Sequence, residues 1–407
     1  MSSEEARACP DETPAIERDH RLRVLVADDS GLMRRTITQI LQEEGDIEVI
    51  ATARDGAEAI ELAERLRPDA ITMDVNMPRV DGLRAVEVIM GRHPVPIVII
   101  SSYTKRGGKA AAQALHYGAV EIIEKPSQVG VSLDLDLQAA EIRGKVRAAA
   151  RVRVVRTASF GMVRRPAAIE PLSSTAAARP RPRAVKPEKL FPIVAIGAST
   201  GGPAALSDML PLLPAPFPGC ILIVQHMPAG YTSDLAHSLD QRSAITVVEA
   251  RHGDPIVPGV AYIAPGGCHM EFANDHIKLH AEARRNMHRP SVDVLFESLA
   301  SVAPRLQVVM LSGMGDDGVH GMKRLRAAGA ATMVQDEESS VVWGMPGCAV
   351  RAGCAQLQMP PERLAEYLCA AVGVAPNPIL VLDEVANKPS IAERRLARSA
   401  ISPGPTV

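Results

Sequence analysis

Short apolar runs rich in β-branched residues alternate with amphipathic helical patterns in the first part of the chain. Five such runs lie within residues 21–150 and predict buried strands at Arg23–Ala27, Glu48–Ala51, Ala70–Met73, Ile97–Ile100 and Val120–Ile123. Between the first two runs, apolar residues recur with helical spacing at Met33, Ile37, Ile40 and Leu41. Strands that alternate with helices in this way predict an α/β domain with a doubly wound parallel sheet.

The same alternation returns in residues 191–375. Apolar runs predict four further strands, Ile193–Ile196, Ile221–Val224, Ala261–Ala264 and Gln307–Leu311. Helical patterns follow four residues, Gly202, Tyr231, Ser291 and Asp317. The segment Met270–His280 has an Asn-Asp pair at its centre and predicts a small hairpin added to the sheet. The second stretch is therefore predicted to be another doubly wound α/β domain.

Three segments lack this alternation, and they divide the chain into a tail at 1–20, a domain at 21–145, a linker at 146–190, a domain at 191–375 and a tail at 376–407. Residues 1–20 carry six acidic and two basic residues, which predicts a disordered tail. Residues 151–190 hold ten Lys or Arg, two acidic residues, five prolines and one aromatic residue, which is typical of a basic Pro-rich linker. A nucleic-acid-binding segment is the alternative, but the lack of interleaved aromatic residues favours a linker.

Composition narrows the classes of protein that fit. The 407-residue chain has 46% hydrophobic and 23% charged residues, as globular proteins do, and its net charge of −2 argues against a nucleic-acid partner for the whole chain. No apolar run approaches the roughly 18 residues of a membrane span, so we expect no membrane insertion. The six cysteines show no CxxC spacing, which argues against a zinc site or a disulfide framework. A cytoplasmic protein with reduced thiols is the resulting expectation.

Polar residues follow the predicted strands of the first domain in chain order. They are Asp28 and Asp29 after the first strand, Asp74 after the third, Ser101 after the fourth and Lys125 after the fifth. Because ligand chemistry in open α/β sheets collects at the carboxyl ends of the strands, we expect all five at one edge. A single polar residue after a strand is common in loops. Five such residues at the ends of four strands, in chain order, indicate one shared site.

Three crowded carboxylates repel one another unless a hard cation neutralises them, and Mg²⁺ prefers oxygen ligands. We expect Mg²⁺ to be held by Asp29, Asp74 and the carbonyl of Asn76, which leaves one Asp74 oxygen to attack a phosphoryl group. Lys125 and the Ser101 hydroxyl would then hold the new phosphoryl oxygens.

These residues stand in motifs that resemble the receiver domain of bacterial two-component response regulators. The motifs are Asp28-Asp29-Ser30, Asp74-x-Asn76-Met77-Pro78-x-x-Asp81-Gly82, Ser101-Ser102 and Lys125-Pro126. The resemblance covers the first domain and implies a flavodoxin-like sheet in which Asp74 is the phosphoacceptor. It implies that Asp28 and Asp29 help to bind Mg²⁺, and that Ser101 and Lys125 read out the phosphate. It also implies a chemotaxis-type histidine kinase as phosphodonor.

A serine stands on a glycine-rich turn directly after the first strand of the second domain. The segment is Gly197-Ala198-Ser199-Thr200-Gly201-Gly202-Pro203, and its turn lifts Ser199 clear of the sheet with the N–H groups of a helix start behind it. For this segment alone, a structural turn or a phosphate cradle without chemistry fits equally well.

Two later strands of this domain end near His226 and Asp317. A serine hydroxyl needs a base to become a nucleophile, and a histidine that a carboxylate orients supplies one at neutral pH. Ser199, His226 and Asp317 would fill these roles. The backbone N–H groups near Thr200 and Met314 could form an oxyanion hole.

The spacing Gly197-x-Ser199-x-Gly201 also matches the nucleophile elbow of lipase-type hydrolases, in which the acid precedes the histidine. In this chain the best carboxylate, Asp317, follows the best histidine, His226. That order argues against a lipase-type enzyme.

Longer motifs in the second domain resemble the effector domain of the chemotaxis protein-glutamate methylesterases, the CheB family. They are Gly197–Pro203, Gln225–Pro228, Ala264–Gly267, Leu311–Gly318 and Gly344–Pro346. The resemblance implies a hydrolase-type catalytic domain that releases methanol from glutamate methyl esters on methyl-accepting chemotaxis receptors, with a Ser199–His226–Asp317 triad and no cofactor for this step. Many members also deamidate receptor glutamines, which adds a second candidate activity. By motif register, Asp317 is the triad residue and Asp316 a solvated turn residue.

A receiver joined to a hydrolase predicts regulation by occlusion. We expect the first domain to cover the edge that carries Ser199, and phosphorylation of Asp74 to shift the docking surface. A local basic cluster is a candidate for steering glutamate-rich receptor segments, with a solvated loop as the simpler interpretation. The cluster consists of Arg284, Arg285, His288 and Arg289.

Three other classes of protein stay open. A response regulator that binds DNA would need a helix-turn-helix with a basic recognition surface. A non-catalytic adaptor that docks to receptor arrays would not need an intact serine, histidine and aspartate. A general esterase of the lipase type would turn over small esters. The methylesterase interpretation fits more of the chain than any of these.

Overall fold

The computed structural model describes residues 21–102, 105–126, 132–152 and 191–377. The predicted tail at 1–20, and most of the predicted linker and C-terminal tail, lie outside these ranges. Within the described ranges, no helix is both long enough and apolar enough to cross a membrane.

The first domain is built on a five-stranded parallel sheet. Its elements are β1 (Leu22–Ala27), α1 (Gly31–Gln42), β2 (Ile47–Ala53), α2 (Gly56–Leu66), β3 (Ala70–Met73), α3 (Gly82–Arg92), β4 (Ile97–Ser101), α4 (Lys105–His116), β5 (Glu121–Glu124) and α5 (Ser132–Ala150). The strand order is β2-β1-β3-β4-β5. The predicted doubly wound sheet is confirmed. Its connections reverse direction beside β1 and β3, and ligand sites form at such points.

Helix caps fix the two acidic loops of this domain. The Ser30 hydroxyl accepts a hydrogen bond from the backbone N–H of Met33 at the start of α1. The Asp81 carboxylate accepts one from the backbone N–H of Arg84 at the start of α3. A side chain at Gly82 would collide with the carbonyl oxygen of Asp74, so the α3 start packs directly on the end of β3.

Helix α5 corrects the predicted start of the linker. It continues to Ala150, so residues 146–150 are helical rather than part of an irregular linker. Val146 and Ala149 are buried in the core of the first domain, which explains why the helix does not end earlier. On its other side, Arg147 pairs with Asp46 over 2.6 Å. In the sequence, charged residues stand between the buried apolar residues of α5, so the apolar face of the helix is hard to recognise.

The second domain is built on a seven-stranded parallel sheet and a separate hairpin. Its elements are β6 (Ile193–Ala198), α6 (Gly202–Met209), β7 (Cys220–Gln225), α7 (Tyr231–Asp240), β8 (Thr246–Glu249), β9 (Val260–Ile263), β10 (His269–Ala273), β11 (His276–His280), α8 (Val292–Ser298), β12 (Leu306–Met310), α9 (Val319–Ala327), β13 (Ala331–Gln335), α10 (Met345–Arg351), β14 (Leu357–Met359) and α11 (Pro361–Ala371). The strand order is β14-β13-β12-β6-β7-β9-β8. The predicted hairpin forms from β10 and β11, but these strands pair only with each other and make a separate two-stranded sheet rather than an addition to the large one.

Three strands of this sheet, β8, β13 and β14, are absent from the sequence prediction. β8 and β14 are short and only partly buried, so they lack a continuous apolar run. β13 is buried, but it follows a run of alanines that favours helix. The central strands β12, β6 and β7 are where the sequence placed them, and their carboxyl ends lie side by side.

The two domains share one apolar core cluster. Ala111 and Ala114 of α4 belong to the same cluster of buried side chains as Tyr231 and Leu235 of α7. This contact brings the first domain against the edge of the second sheet at which β6 and β7 end.

Candidate functional site

An acidic cluster occupies the carboxyl edge of the first sheet. One carboxylate oxygen from each of Asp28, Asp29 and Asp74 lies within 4.8 Å of the others. Lys125 reaches into this cluster, with its Nζ 2.7 Å from Asp28 Oδ2 and 2.9 Å from Asp74 Oδ2. The structure therefore brings four of the predicted residues together.

Burial and opposite charge set the protonation of this cluster. Burial raises the pKa of Asp74 above its ordinary value, against the hydrogen bond and charge of Lys125. Burial also favours neutral Lys125, but its two carboxylate partners outweigh this effect and raise the lysine pKa. Lys125 thus stays charged and offsets the repulsion between Asp28 and Asp74. The remaining negative charge and the oxygen donors fit a Mg²⁺ ion.

Ser101 and Asn76 lie beside this cluster. Ser101 is buried at the end of β4, and its hydroxyl donates to the carbonyl of Ser102 over 3.4 Å. The backbone N–H of Asn76 donates to the Asp74 carboxylate, and the Asn76 side chain is exposed. A phosphate contact from Ser101 and a metal contact from the Asn76 carbonyl stay predictions.

Ser199 stands on a tightly held turn at the end of β6. Its backbone N–H donates to the carbonyl of Ser312 over 3.0 Å, and its carbonyl accepts from Gln225 Nε2 over 2.9 Å. Gly201 has φ +80°, a left-handed conformation that favours glycine. A side chain at Gly202 would collide with the Gln225 amide. The glycines therefore let the turn pack closely while it presents the serine.

His226 is the neighbour of Ser199 in the sheet register. Ala198 pairs with Gln225 at the ends of β6 and β7, and the next residue on each strand is Ser199 and His226. The His226 backbone N–H donates to the Ala198 carbonyl over 3.0 Å. Its ring Nε2 lies 2.9 Å from Asp317 Oδ2. Its Nδ1 is buried and has no hydrogen-bond partner within the described ranges.

Asp317 is buried and fully engaged by donors. Its Oδ1 accepts from Ser291 Oγ over 2.7 Å and from Asn286 Nδ2 over 2.9 Å, and its Oδ2 accepts from the Val292 N–H over 2.6 Å. Burial alone would favour the neutral acid, but His226, the Ser291 hydroxyl and the Val292 N–H outweigh it and hold the pKa of Asp317 well below its ordinary value. The carboxylate is thus ionised where it meets the imidazole.

The rest of the predicted site is arranged around this pair. Asp316 is exposed, whereas Asp317 is 1% exposed and faces His226. Thr200 is buried directly after the serine. Met314 is 38% exposed and follows Gly313, whose added Cβ would lie 2.9 Å from that of Ser199. Oxyanion binding by Thr200 and Met314 stays a prediction.

Sequence reasoning missed several residues of this site. Ser291 was placed at a helix start, where serine ordinarily caps the backbone, but its hydroxyl serves Asp317 instead. Asn286 also reaches Asp317 and was not singled out. A serine and an asparagine close to a helix start carry a weak signal, because the same residues are common in ordinary turns.

The predicted basic cluster does not form a uniform surface. Arg285 binds both carboxylate oxygens of Glu297, at 2.7 and 2.6 Å. Arg289 donates to the carbonyls of Ala281 and Glu282, and His288 stacks on His226. Most of the cluster is therefore committed to local structure.

The first domain touches the serine turn itself. Thr200 Oγ1 donates to Glu121 Oε2 of β5 over 2.7 Å, and Tyr231 Oη donates to the carbonyl of Ser101 over 2.9 Å. Lys145 of α5 is buried nearby, with Nζ 3.6 Å from Glu121 Oε1. One turn of helix α5 lies against Met314. A Cβ atom added at Gly144 of this turn would be 3.1 Å from Met314 Cε.

Known proteins show the same domain pair. Residues 194–368 match the family model described as CheB methylesterase, and residues 24–133 match the response regulator receiver domain. A curated Symbiobacterium thermophilum protein, "Protein-glutamate methylesterase/protein-glutamine glutaminase", is 42% identical over 357 residues, 86% of this chain and 97% of that protein. The chain belongs to the CheB methylesterase family. A Pseudomonas aeruginosa member, "Protein-glutamate methylesterase/protein-glutamine glutaminase 2", is 43% identical over 352 residues, 85% of this chain and 96% of that protein.

The solved structures include separate CheB domains. "Crystal structure of Thermotoga maritima CheB methylesterase catalytic domain" is 38% identical, covers 45% of this chain and all of that chain, and has a TM-score of 0.44. The two family-model matches show that the chain combines a receiver domain with a CheB catalytic domain, as the sequence motifs predicted. Receiver domains in general bind Mg²⁺, which agrees with the oxygen-rich cluster at Asp74.

Proposed function

We propose that this chain hydrolyses glutamate methyl esters on methyl-accepting chemotaxis receptors and releases methanol. The observation that carries the proposal is the placement of Ser199 and His226 at adjacent strand ends, with His226 bound to a buried, ionised Asp317. The names of the curated relatives, protein-glutamate methylesterases, supply the ester class.

The geometry supports a two-step acyl transfer. Ser199 Oγ attacks the ester carbonyl carbon, and its proton passes to His226 Nδ1. The carbonyl oxygen becomes an oxyanion that accepts hydrogen bonds from the backbone N–H groups near Thr200 and Met314. The carbon–methoxy bond then breaks, and His226 returns the proton to the leaving methoxide, which departs as methanol. Water, deprotonated by His226, cleaves the acyl-serine and yields glutamate and free Ser199.

Asp317 orients the base in this scheme. Its hydrogen bond fixes Nε2 of His226 as the nitrogen that carries a proton in the resting state, so that Nδ1 is the acceptor. Its negative charge stabilises the imidazolium that forms during attack. Ser291 and Asn286 hold the carboxylate in place.

Glutamine deamidation is a second candidate activity. The curated relatives carry "protein-glutamine glutaminase" in their names. The same attack on a side-chain amide would release ammonia instead of methanol, with His226 protonating the leaving nitrogen.

The receiver site is proposed to control this activity. A chemotaxis histidine kinase is the phosphodonor, and one Asp74 oxygen takes its phosphoryl group. Asp28, Asp29, Asp74 and the Asn76 carbonyl would hold a Mg²⁺ ion, which would neutralise negative charge during that transfer. Lys125 bridges Asp28 and Asp74 in the unphosphorylated chain. After the transfer it binds the phosphoryl oxygens together with the Ser101 hydroxyl.

Docking of the receiver is proposed to occlude the esterase in the unphosphorylated state. The receiver residue Glu121 binds Thr200, next to the nucleophile, and α5 packs against Met314. Ser199 is only 3% exposed in this arrangement, too little for a receptor helix to reach it.

Methanol release from methylated receptor membranes tests the enzyme directly. Ser199→Ala should abolish release, and Ser207→Ala should not, because the Ser207 hydroxyl donates to the Pro203 carbonyl within α6, away from the site. Release that persists in Ser199→Ala would refute the serine mechanism. Receptor binding without release by the unaltered chain would favour the non-catalytic adaptor.

A further inference from the structure

A four-residue turn, Arg285–His288, lies against the triad. The backbone N–H of Arg285 donates to the carbonyl of His288 over 3.0 Å, and the reverse bond measures 2.9 Å. Asn286 and Met287 at its centre have φ values of +50° and +66°. Two consecutive left-handed residues other than glycine are costly, and such strain is kept where the surroundings over-determine it.

The first two residues of this turn are anchored by their side chains. Arg285 forms its two-pronged ion pair with Glu297 of α8. The Asn286 amide donates to Asp293 Oδ2 over 2.8 Å and to Asp317 Oδ1 over 2.9 Å. The strained backbone thereby delivers one side chain to the acid of the triad.

The last residue of the turn meets the base of the triad. The rings of His288 and His226 are stacked, with centroids 3.8 Å apart and planes inclined by 10°. The torsion that rotates an imidazole about its Cβ–Cγ bond is soft. Because the hydrogen bond to Asp317 fixes only one atom of the His226 ring, a flat neighbour at this distance restricts the remaining rotation.

We propose that the Arg285–His288 turn is a positioning element for the triad, in which Asn286 holds Asp317 and His288 holds the plane of the His226 ring. The inference rests on the proposed serine esterase. In this arrangement the His226 ring keeps one orientation through each proton transfer. His288 itself touches neither the ester nor the reacting oxygen.

The electrostatic surroundings keep His288 neutral in this role. Burial and the charge of His226 lower the pKa of His288, and Lys145 and Arg284 act in the same direction. The negative charge of Asp317 opposes them without reversing the shift. When His226 takes the serine proton, it therefore stacks on a neutral ring rather than on a second cation. An uncharged aromatic ring should serve the same purpose.

Two variants separate the flat ring from its nitrogen atoms. His288→Ala removes the ring, and His288→Phe keeps a flat, uncharged one. His276→Ala is the matched control, because this exposed histidine lies in the β10–β11 hairpin. A fourth variant, Asn286→Gly, removes the amide while glycine accepts the left-handed backbone.

The assay uses the full chain with Mg²⁺ and a small phosphodonor. A fluorophosphonate reports the nucleophile, since Ser199 Oγ displaces fluoride from phosphorus and its proton goes to His226. Methanol release from receptor membranes gives kcat and KM. We expect His288→Ala and Asn286→Gly to lower the phosphonylation rate and kcat by about 10- to 100-fold, as small misplacements do, with KM within about twofold. His288→Phe should recover most of the loss, and His276→Ala should match the unaltered chain.

Each outcome decides a separate claim. The proposal would be overturned if folded His288→Ala were phosphonylated at the same rate as the unaltered chain. It would also be overturned if His288→Phe were phosphonylated as slowly as His288→Ala. A change in KM alone would also overturn it, because a positioning role acts on kcat. If the unaltered chain reacts with the fluorophosphonate but releases no methanol from receptors, the proposed substrate fails while the positioning role is still measured by phosphonylation.

Discussion

The Thr200 hydroxyl donates to the carboxylate of Glu121 across the domain contact, over 2.7 Å. Glu121 is 1% exposed and starts the last strand of the receiver, whereas Thr200 directly follows the proposed nucleophile. One hydrogen bond thus joins the receiver core to the serine turn. A buried hydrogen bond to a charged group contributes about 1.5–3 kcal/mol, enough to bias a docking equilibrium by more than tenfold.

Removal of this bond should release the esterase without phosphorylation. We expect Glu121→Ala to raise methanol release by the unphosphorylated chain about tenfold, because docking loses a buried charged hydrogen bond. Glu124→Ala is the control, since Glu124 is an exposed residue of the same strand. Initial rates without a phosphodonor provide the measurement. An unchanged rate in a folded Glu121→Ala protein would contradict the claim that the Glu121–Thr200 hydrogen bond holds the receiver on the catalytic domain.

A second contact links the switch to the catalytic domain. Tyr231 Oη donates to the carbonyl of Ser101, the residue predicted to bind the phosphoryl group. Tyr231→Phe removes one neutral hydrogen bond of about 1 kcal/mol, so the unphosphorylated rate should rise by roughly fivefold. Tyr262→Phe loses a similar bond, to the Pro255 carbonyl within the catalytic domain, and should leave the ratio of phosphorylated to unphosphorylated rates unchanged. Equal ratios in both variants would show that Tyr231 carries no signal.

The paired aspartates offer an internal comparison. Asp317→Asn keeps the shape of the side chain but lets His226 adopt the wrong tautomer, so kcat should fall by about 10⁴, as in other serine triads. Asp316→Asn changes an exposed side chain and should have little effect. Fluorophosphonate labelling and methanol release measure both variants. Similar losses in the two variants would mean that the acid has been misassigned.

The low pKa of Asp317 also predicts a pH dependence of stability. A carboxyl whose pKa is lower in the folded than in the unfolded chain stabilises the fold at pH values above its ordinary pKa of 3.8. This contribution is lost as the pH falls through the pKa of the folded state. Asp317→Asn should therefore lower Tm at pH 7, with a gap from the unaltered chain that narrows as the pH falls below 3.8. Thermal unfolding followed by circular dichroism measures this gap. A gap that stays constant with pH would mean that ionised Asp317 does not stabilise the fold.

The sequence predicts the positions of those residues that directly follow a strand, because the sheet fixes where each strand ends. Ser199 and His226 each end a central strand, so their proximity could be derived from the parallel sheet alone. Asn286 and His288 come from an irregular loop, and no periodicity fixes its path. Glu121 appeared only as part of an apolar strand, because a contact between domains leaves no local pattern.

The most direct test follows methanol release from methylated receptor membranes before and after a phosphodonor and Mg²⁺ are added to one sample. The account predicts a low initial rate that rises severalfold on addition, no rise in Asp74→Asn, and no release at any stage in Ser199→Ala. A high rate from the start, unaffected by the phosphodonor, would contradict occlusion by the receiver. Release in Ser199→Ala would contradict the esterase mechanism itself.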